Sequence, residues 1–228
     1  MSSPATSQDS RVELLRWAAG LGAVTAEALA LLEGAPLASA RGRLTAATRE
    51  GLLCRARPLT GRPAIYTLTR AGSRAAGLEG LGSRPVSAAG AEHAIACAQV
   101  AAALSRAHPS CRVMGEAELR ARAAPGGSIP VAVLSRQAHD SPLSHRADLA
   151  LVPQGVAGGL PVLIEVELSV KAPRRLEAIC RAWARCRGVA GVVYLASPVV
   201  EEPLRRAIAR ASASSAVAVV PLASVIGE

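Results

Sequence analysis

The segment Val162-Leu163-Ile164-Glu165-Val166-Glu167-Leu168-Ser169-Val170 decides the architecture of the C-terminal half. Read as a strand, it places Val162, Ile164, Val166 and Leu168 on one face, all apolar. Leu163, Glu165, Glu167 and Ser169 share the other. Two carboxylates inside an otherwise apolar strand are costly unless they are hydrated, paired or bound to a cation. Just upstream, Asp148-Leu149-Ala150-Leu151-Val152 is a second short strand, and the Gly-rich stretch Pro153 to Pro161 is the turn between them. A tight hairpin of this kind sets Asp148 beside Glu165. Clustered carboxylates repel one another, and a hard divalent cation relieves that repulsion.

Working outward, Ala172 to Gly188 reads as a helix, Val189 to Ala196 as a buried strand, Val199 to Ala211 as a helix and Ala216 to Leu222 as a final strand. Upstream lie a long Ala-rich helix, about Ala91 to His108, and a strand from Arg112 to Glu116. The stretch Ala123 to Ser144 reads as loop with one short strand. This order of elements predicts an α/β domain with a mixed sheet over residues 91–228.

The N-terminal third has a different grammar. A polar tail, residues 1–10, precedes three helical segments: a stripe of Val12, Leu14, Leu15, Trp17 and Ala18, a second helix capped by Thr25, and a third from about Leu37 to Glu50. Two short alternating strands follow, Leu52 to Arg57 and Ala64 to Leu68, then a short helix capped by Thr69. Residues 41–74 hold eight arginines against one acid, Glu50. Three helices and a basic hairpin over 11–78 form the order of a winged helix-turn-helix. Such a domain lays its third helix in the major groove of double-stranded DNA and its wing along the phosphates. Arg41, Arg43, Arg49, Arg55, Arg57 and Arg62 are the candidate DNA contacts, and a protein-docking winged helix with solvated arginines is the competing reading. Small residues over 79–90 read as a linker.

The turn and helix around Ile65-Tyr66-Thr67-Leu68-Thr69-Arg70-Ala71-Gly72 resemble the hairpin of many bacterial winged-helix proteins. The spacing Asp148-x16-Glu165-x-Glu167 resembles the PD-(D/E)xK nuclease superfamily, also called restriction-endonuclease-like. That likeness implies Mg²⁺ or Mn²⁺ held by Asp148 and Glu165, with Glu92 on the preceding helix as a further metal ligand. The position usually held by Lys is Glu167 here. Lys171, the only lysine of the chain, is the candidate for a relocated catalytic lysine. More narrowly, the winged helix, His93-Ala94-Ile95-Ala96, Arg146-Ala147-Asp148 and Glu165-Val166-Glu167 together resemble the replication-relaxation family, found on actinobacterial plasmids and other mobile elements. The resemblance implies a DNA transaction of a mobile element, with its replication or transfer proteins and a second copy of the chain as further partners. It leaves open whether the fold is a metal-dependent endonuclease or nickase, with Asp148, Glu165, Glu167 and Lys171 as catalytic residues, or a degenerate, non-catalytic accessory domain. Each acid also has a structural alternative: Glu165 and Glu167 could pair with Arg146, Arg174 or Arg175, and Asp148 could cap a turn.

Composition narrows the classes. Half of the 228 residues are apolar, which excludes global disorder, yet alanine is the main contributor and Phe is absent. The net charge of +9 suits an anionic partner. No apolar run reaches the roughly 18–20 residues that span a bilayer, and Met1 to Ser10 lacks a signal-peptide pattern. Five cysteines without a C-x-x-C pair argue against a disulfide framework or a zinc finger and for a cytoplasmic protein.

Overall fold

The computed structural model describes residues 7–78, 85–122, 132–135, 143–155 and 159–227. The chain divides into two compact units, one through Ala103 and the other from Leu104. Among the described residues no helix is long and apolar enough to cross a membrane.

The first unit begins with α1 (Ser7–Leu21), α2 (Ala26–Glu33) and α3 (Leu37–Arg49). Thr25 caps α2 by accepting the Ala28 N–H at 3.1 Å, and Gly34 closes it in the left-handed region at φ 62°. A hairpin follows, β1 (Leu53–Ala56) and β2 (Ile65–Leu68), antiparallel with Leu53 opposite Leu68. Val24, between α1 and α2, exchanges both backbone hydrogen bonds with Tyr66, at 2.9 and 2.8 Å, and so adds a third strand position to the hairpin. Leu15, Leu29, Leu44 and Leu53 fill the core among these helices and strands.

The Thr69-x-x-Gly72 run owes its residue types to one joint. Thr69 Oγ1 accepts the Gly72 N–H at 3.0 Å, capping α4 (Arg70–Ala75), and donates to the Gly51 carbonyl at 2.6 Å. A Cβ on Gly72 would lie 2.1 Å from the Leu52 carbonyl oxygen. Only glycine lets α4 close on the base of the hairpin.

The first unit extends further than the sequence boundary at 79–90. The helix α5 (Ala88–Ala107) buries Ala91 and Ile95 against Ala23 and Ile65, and Ala98 and Ala102 against Ala28. These positions recur at helical spacing, and their small side chains allow close approach to the first unit. Residues 79–84 of the expected linker lie outside the described residues. So do residues 1–6 of the expected tail, while 7–10 are already helical.

The second unit is mixed α/β, as its element order predicts. It contains β3 (Cys111–Gly115), α6 (Glu116–Arg122), β4 (Ala132–Ser135), β5 (Leu143–His145), β6 (Leu149–Pro153), β7 (Val162–Glu167), α7 (Pro173–Ala184), β8 (Gly191–Ala196), α8 (Pro198–Arg210), β9 (Val217–Pro221) and α9 (Ala223–Ile226). The five-stranded sheet has the order β3-β6-β7-β8-β9; β3, β6 and β7 are antiparallel, and β7, β8 and β9 are parallel. The parallel steps are bridged by α7 and α8, as a parallel pairing requires. Leu176, Ile179, Cys180 and Trp183 put one face of α7 into the core with Leu163, Tyr194 and Leu204. The short α6, α9 and the β4–β5 hairpin are too brief to carry a legible period.

Candidate functional site

Two groups of side chains stand out, one in each unit. In the first, a groove of about 730 Å³ runs between α3, the start of α2 and the hairpin. Arg41 and Thr45 reach it from α3, and Arg55, Arg57, Thr60 and Arg62 from the hairpin. Arg55 and Arg57 are two apart on an extended segment, so both project to the same side. Glu27 is the one acid in the lining and accepts Arg41 at 3.2 Å.

The six arginines singled out on sequence therefore separate. Arg41, Arg55, Arg57 and Arg62 line the groove, whereas Arg43 and Arg49 do not. Arg43 turns toward α1: it pairs with Glu33 and donates to the carbonyl and hydroxyl of Ser10, both at 2.7 Å. Those contacts make it a clamp between helices. Arg49 is exposed at the end of α3. Glu92, the candidate metal ligand on α5, accepts the Arg62 guanidinium at 2.6 Å.

In the second unit, Asp148 precedes β6 and lies opposite Glu165 on β7. The Asp148 N–H donates to the Ile164 carbonyl at 3.1 Å, and the Asp148 carboxylate accepts the Val166 N–H at 2.8 Å. The register, Ala150 opposite Leu163, puts both acids on the face of the sheet that carries Leu163. That face is covered rather than wet. Glu165 is 3% exposed, and its Oε1 accepts the indole N–H of Trp183 at 3.1 Å and lies 2.8 Å from Nε2 of His145. The His145 ring stands edge-on to Trp183 with centroids 5.8 Å apart.

Charge and burial compete at this point. Burial pushes the Glu165 carboxyl above its ordinary range. The hydrogen bond from His145 opposes the shift, and the neighbouring Asp148 charge adds to it. Lys171 is lowered, mainly by burial, against the attraction of Glu165 and Asp148. Its ammonium pairs with Glu167, four residues back and only 5% exposed. The acids are thus met by His145, Trp183 and Lys171, where sequence reading offered Arg146, Arg174 and Arg175. Burial, with Glu165 adding to it, holds the Cys180 thiol up at about 11. Tyr194, opposite Glu165 on β8, has a buried hydroxyl without a hydrogen-bond partner among the described residues.

His145, Trp183 and Tyr194 were not legible as site residues. Their separations from Glu165 in sequence form no motif, and Trp183 and Tyr194 read as ordinary core. Asp148 and Glu165 are cross-strand neighbours of like charge, the pattern a divalent cation would relieve, but Glu165 Oε1 is buried and already held by His145 and Trp183. Glu167 and Glu92 fit such a cation less well, because cationic side chains occupy them. No protein-family model matches the chain, and neither a curated protein nor a solved structure does.

Proposed function

We propose that the chain binds double-stranded DNA through its first unit, acting as a winged helix. In this reading α3 is the recognition helix and the β1–β2 hairpin the wing. The observation that carries it is the groove itself, where four arginines from two elements converge on one concave face with a single acid among them. Such a surface matches a phosphate backbone, and α3 contributes Arg41 and Thr45 to its wall. A fluorescence-anisotropy titration of a 20-bp duplex tests it. Replacing Arg41, Arg55 and Arg57 together should lower the slope of log affinity against log salt by about two to three units, the smaller share from Arg41, which is paired with Glu27. An unchanged slope and affinity would refute the assignment. Attribution to a plasmid or mobile element, with its replication or transfer proteins as partners, rests on the family resemblance in both halves.

We read the second unit as a nuclease-like, PD-(D/E)xK-type scaffold serving that DNA-binding role without cutting. Two acids that would carry catalysis already have partners: Glu165 has Trp183 and His145, and Glu167 has Lys171. The catalytic alternative is favoured by Asp148 lying close enough to act on the ionisation of both Glu165 and Lys171. There, Asp148 and Glu165 would hold Mg²⁺ or Mn²⁺, which supplies charge at a scissile phosphate and a more acidic bound water. Lys171, whose charged form burial disfavours, would orient that water. Incubation of supercoiled plasmid with either cation decides between them: nicking abolished by Asp148→Asn establishes the nuclease, and intact plasmid under all conditions establishes the accessory role.

A further inference from the structure

In the second unit, six arginines are neutralised where they stand. Arg112, Arg120 and Arg122 pair with Glu118 or Glu116. On α8, Arg205, Arg206 and Arg210 pair with Glu201, Glu202 and Glu177. The helix α7 and the turn after it behave differently. Arg174, Arg175, Arg181, Arg185 and Arg187 are all exposed, and none makes an ion pair or a side-chain hydrogen bond among the described residues. The only acid of this stretch, Glu177, is taken by Arg210 at 3.1 Å from α8.

The exposed cations are also ordered. Positions 174, 181 and 185 recur at i, i+7 and i+11, so on a helix of 3.6 residues per turn they fall within about 40° of one another. The opposite face is anchored by Leu176, Ile179, Cys180 and Trp183, which fixes the direction in which the stripe points. At a rise of about 1.5 Å per residue, the three guanidinium stems leave the helix over about 16 Å. That length spans several phosphates of a DNA strand. Unpaired arginines held close together repel one another, and a polyanion removes that repulsion while gaining bidentate contacts.

We propose that the outer face of α7, Arg174, Arg181 and Arg185 with Arg175 and Arg187 at its margins, is a second duplex-DNA contact surface that grips the sugar–phosphate backbone without reading sequence. The proposal deepens the reading of the chain as a DNA-binding protein, but it rests on a different unit. It gives the nuclease-like unit a task that needs no catalysis.

The test uses the full chain and a 20-bp duplex of mixed sequence. Affinity is measured across a salt series for three variants of equal charge change: Arg174/181/185→Gln, Arg205/206/210→Gln on α8, and Arg41/55/57→Gln in the groove. The α7 variant should lose two to three units of salt slope and roughly tenfold or more in affinity at about 150 mM salt. It should melt like wild type, since these exposed side chains make no ion pair or side-chain hydrogen bond among the described residues. The α8 variant should lose clearly less, because its arginines are already neutralised. Equal losses for α7 and α8, or no loss for α7, would overturn the proposal. A loss in the groove variant alone leaves the winged-helix reading standing without the second surface. A loss in the α7 variant alone does the reverse.

Discussion

The indole N–H of Trp183 donates to Glu165 Oε1 across 3.1 Å, joining a helix to the centre of the sheet through a carboxylate that is 3% exposed. A buried acid can persist in an apolar layer only if its oxygens are met by donors. Here the indole meets it from α7 and the His145 imidazole from β5. The same contact couples the acid cluster to the main core of the second unit, because Trp183 is fully buried there.

Shortening and isosteric replacement of Glu165 therefore have different effects. Glu165→Ala leaves the Trp183 N–H unsatisfied and a void beside it, which should cost roughly 1–3 kcal/mol or more. Glu165→Gln keeps an acceptor at the indole and removes the repulsion with Asp148. Its folded-state carboxyl is raised, so in the wild type the folded form holds its proton longer than the unfolded chain does. Stability is then greatest below the ordinary carboxyl range and falls as pH rises through the raised value. Glu165→Gln should flatten that fall, and chemical denaturation between pH 4 and pH 8 in chelator measures it. A variant with the same pH slope as wild type would show that Glu165 does not govern it.

The pair Glu167–Lys171 should behave as a unit. Lys171→Met strands a carboxylate that is 5% exposed, at a cost approaching the roughly 3–5 kcal/mol of an uncompensated buried charge. Adding Glu167→Gln should recover most of that loss. The measurement is a double-mutant cycle by urea denaturation, and additive losses would argue against the pair.

Arg43 and Arg41 are two residues apart on α3 and should part company under mutation. Arg43→Ala removes contacts to Glu33 and Ser10, so it should cost the fold roughly 1–2 kcal/mol. Arg41→Ala should leave the melting temperature near wild type and weaken duplex binding. Parallel melts and titrations separate the two, and the opposite pattern would exchange their roles.

Gly72→Ala should destabilise the first unit by roughly 1–3 kcal/mol, since its new methyl meets the Leu52 carbonyl oxygen. On α3, Gly42→Ala, whose methyl would meet nothing within 4 Å, should be neutral or stabilising. Thermal melts of both variants check the contrast.

The sheet was legible because strand alternation and turn residues are local signals. The run Val162 to Glu167 declared its two faces, and the turn before it fixed the pairing that brings Asp148 next to Glu165. What alternation could not tell was whether the acidic face was wet or covered. That depended on α7 closing over it with Trp183, a contact set by the crossover and not by any spacing near Glu165. The reach of the first unit into α5 was hidden for a similar reason. Alanines at 91, 98 and 102 look alike whichever unit they face, and the Gly- and Ser-rich stretch before them reads as a boundary on composition alone. Among the arginines, sequence gave charge and helix position but not partners, so Arg43 was indistinguishable from Arg41.

The most direct measurement of the central claim is site-specific photocrosslinking to duplex DNA. A photoreactive residue replaces Thr45, on the groove wall, or Glu13, exposed on α1 and outside the groove lining. The account predicts a strong crosslink from position 45 that fades as salt rises, and little or none from position 13. Equal yields at the two positions, or no crosslink at position 45, would contradict DNA binding in the groove.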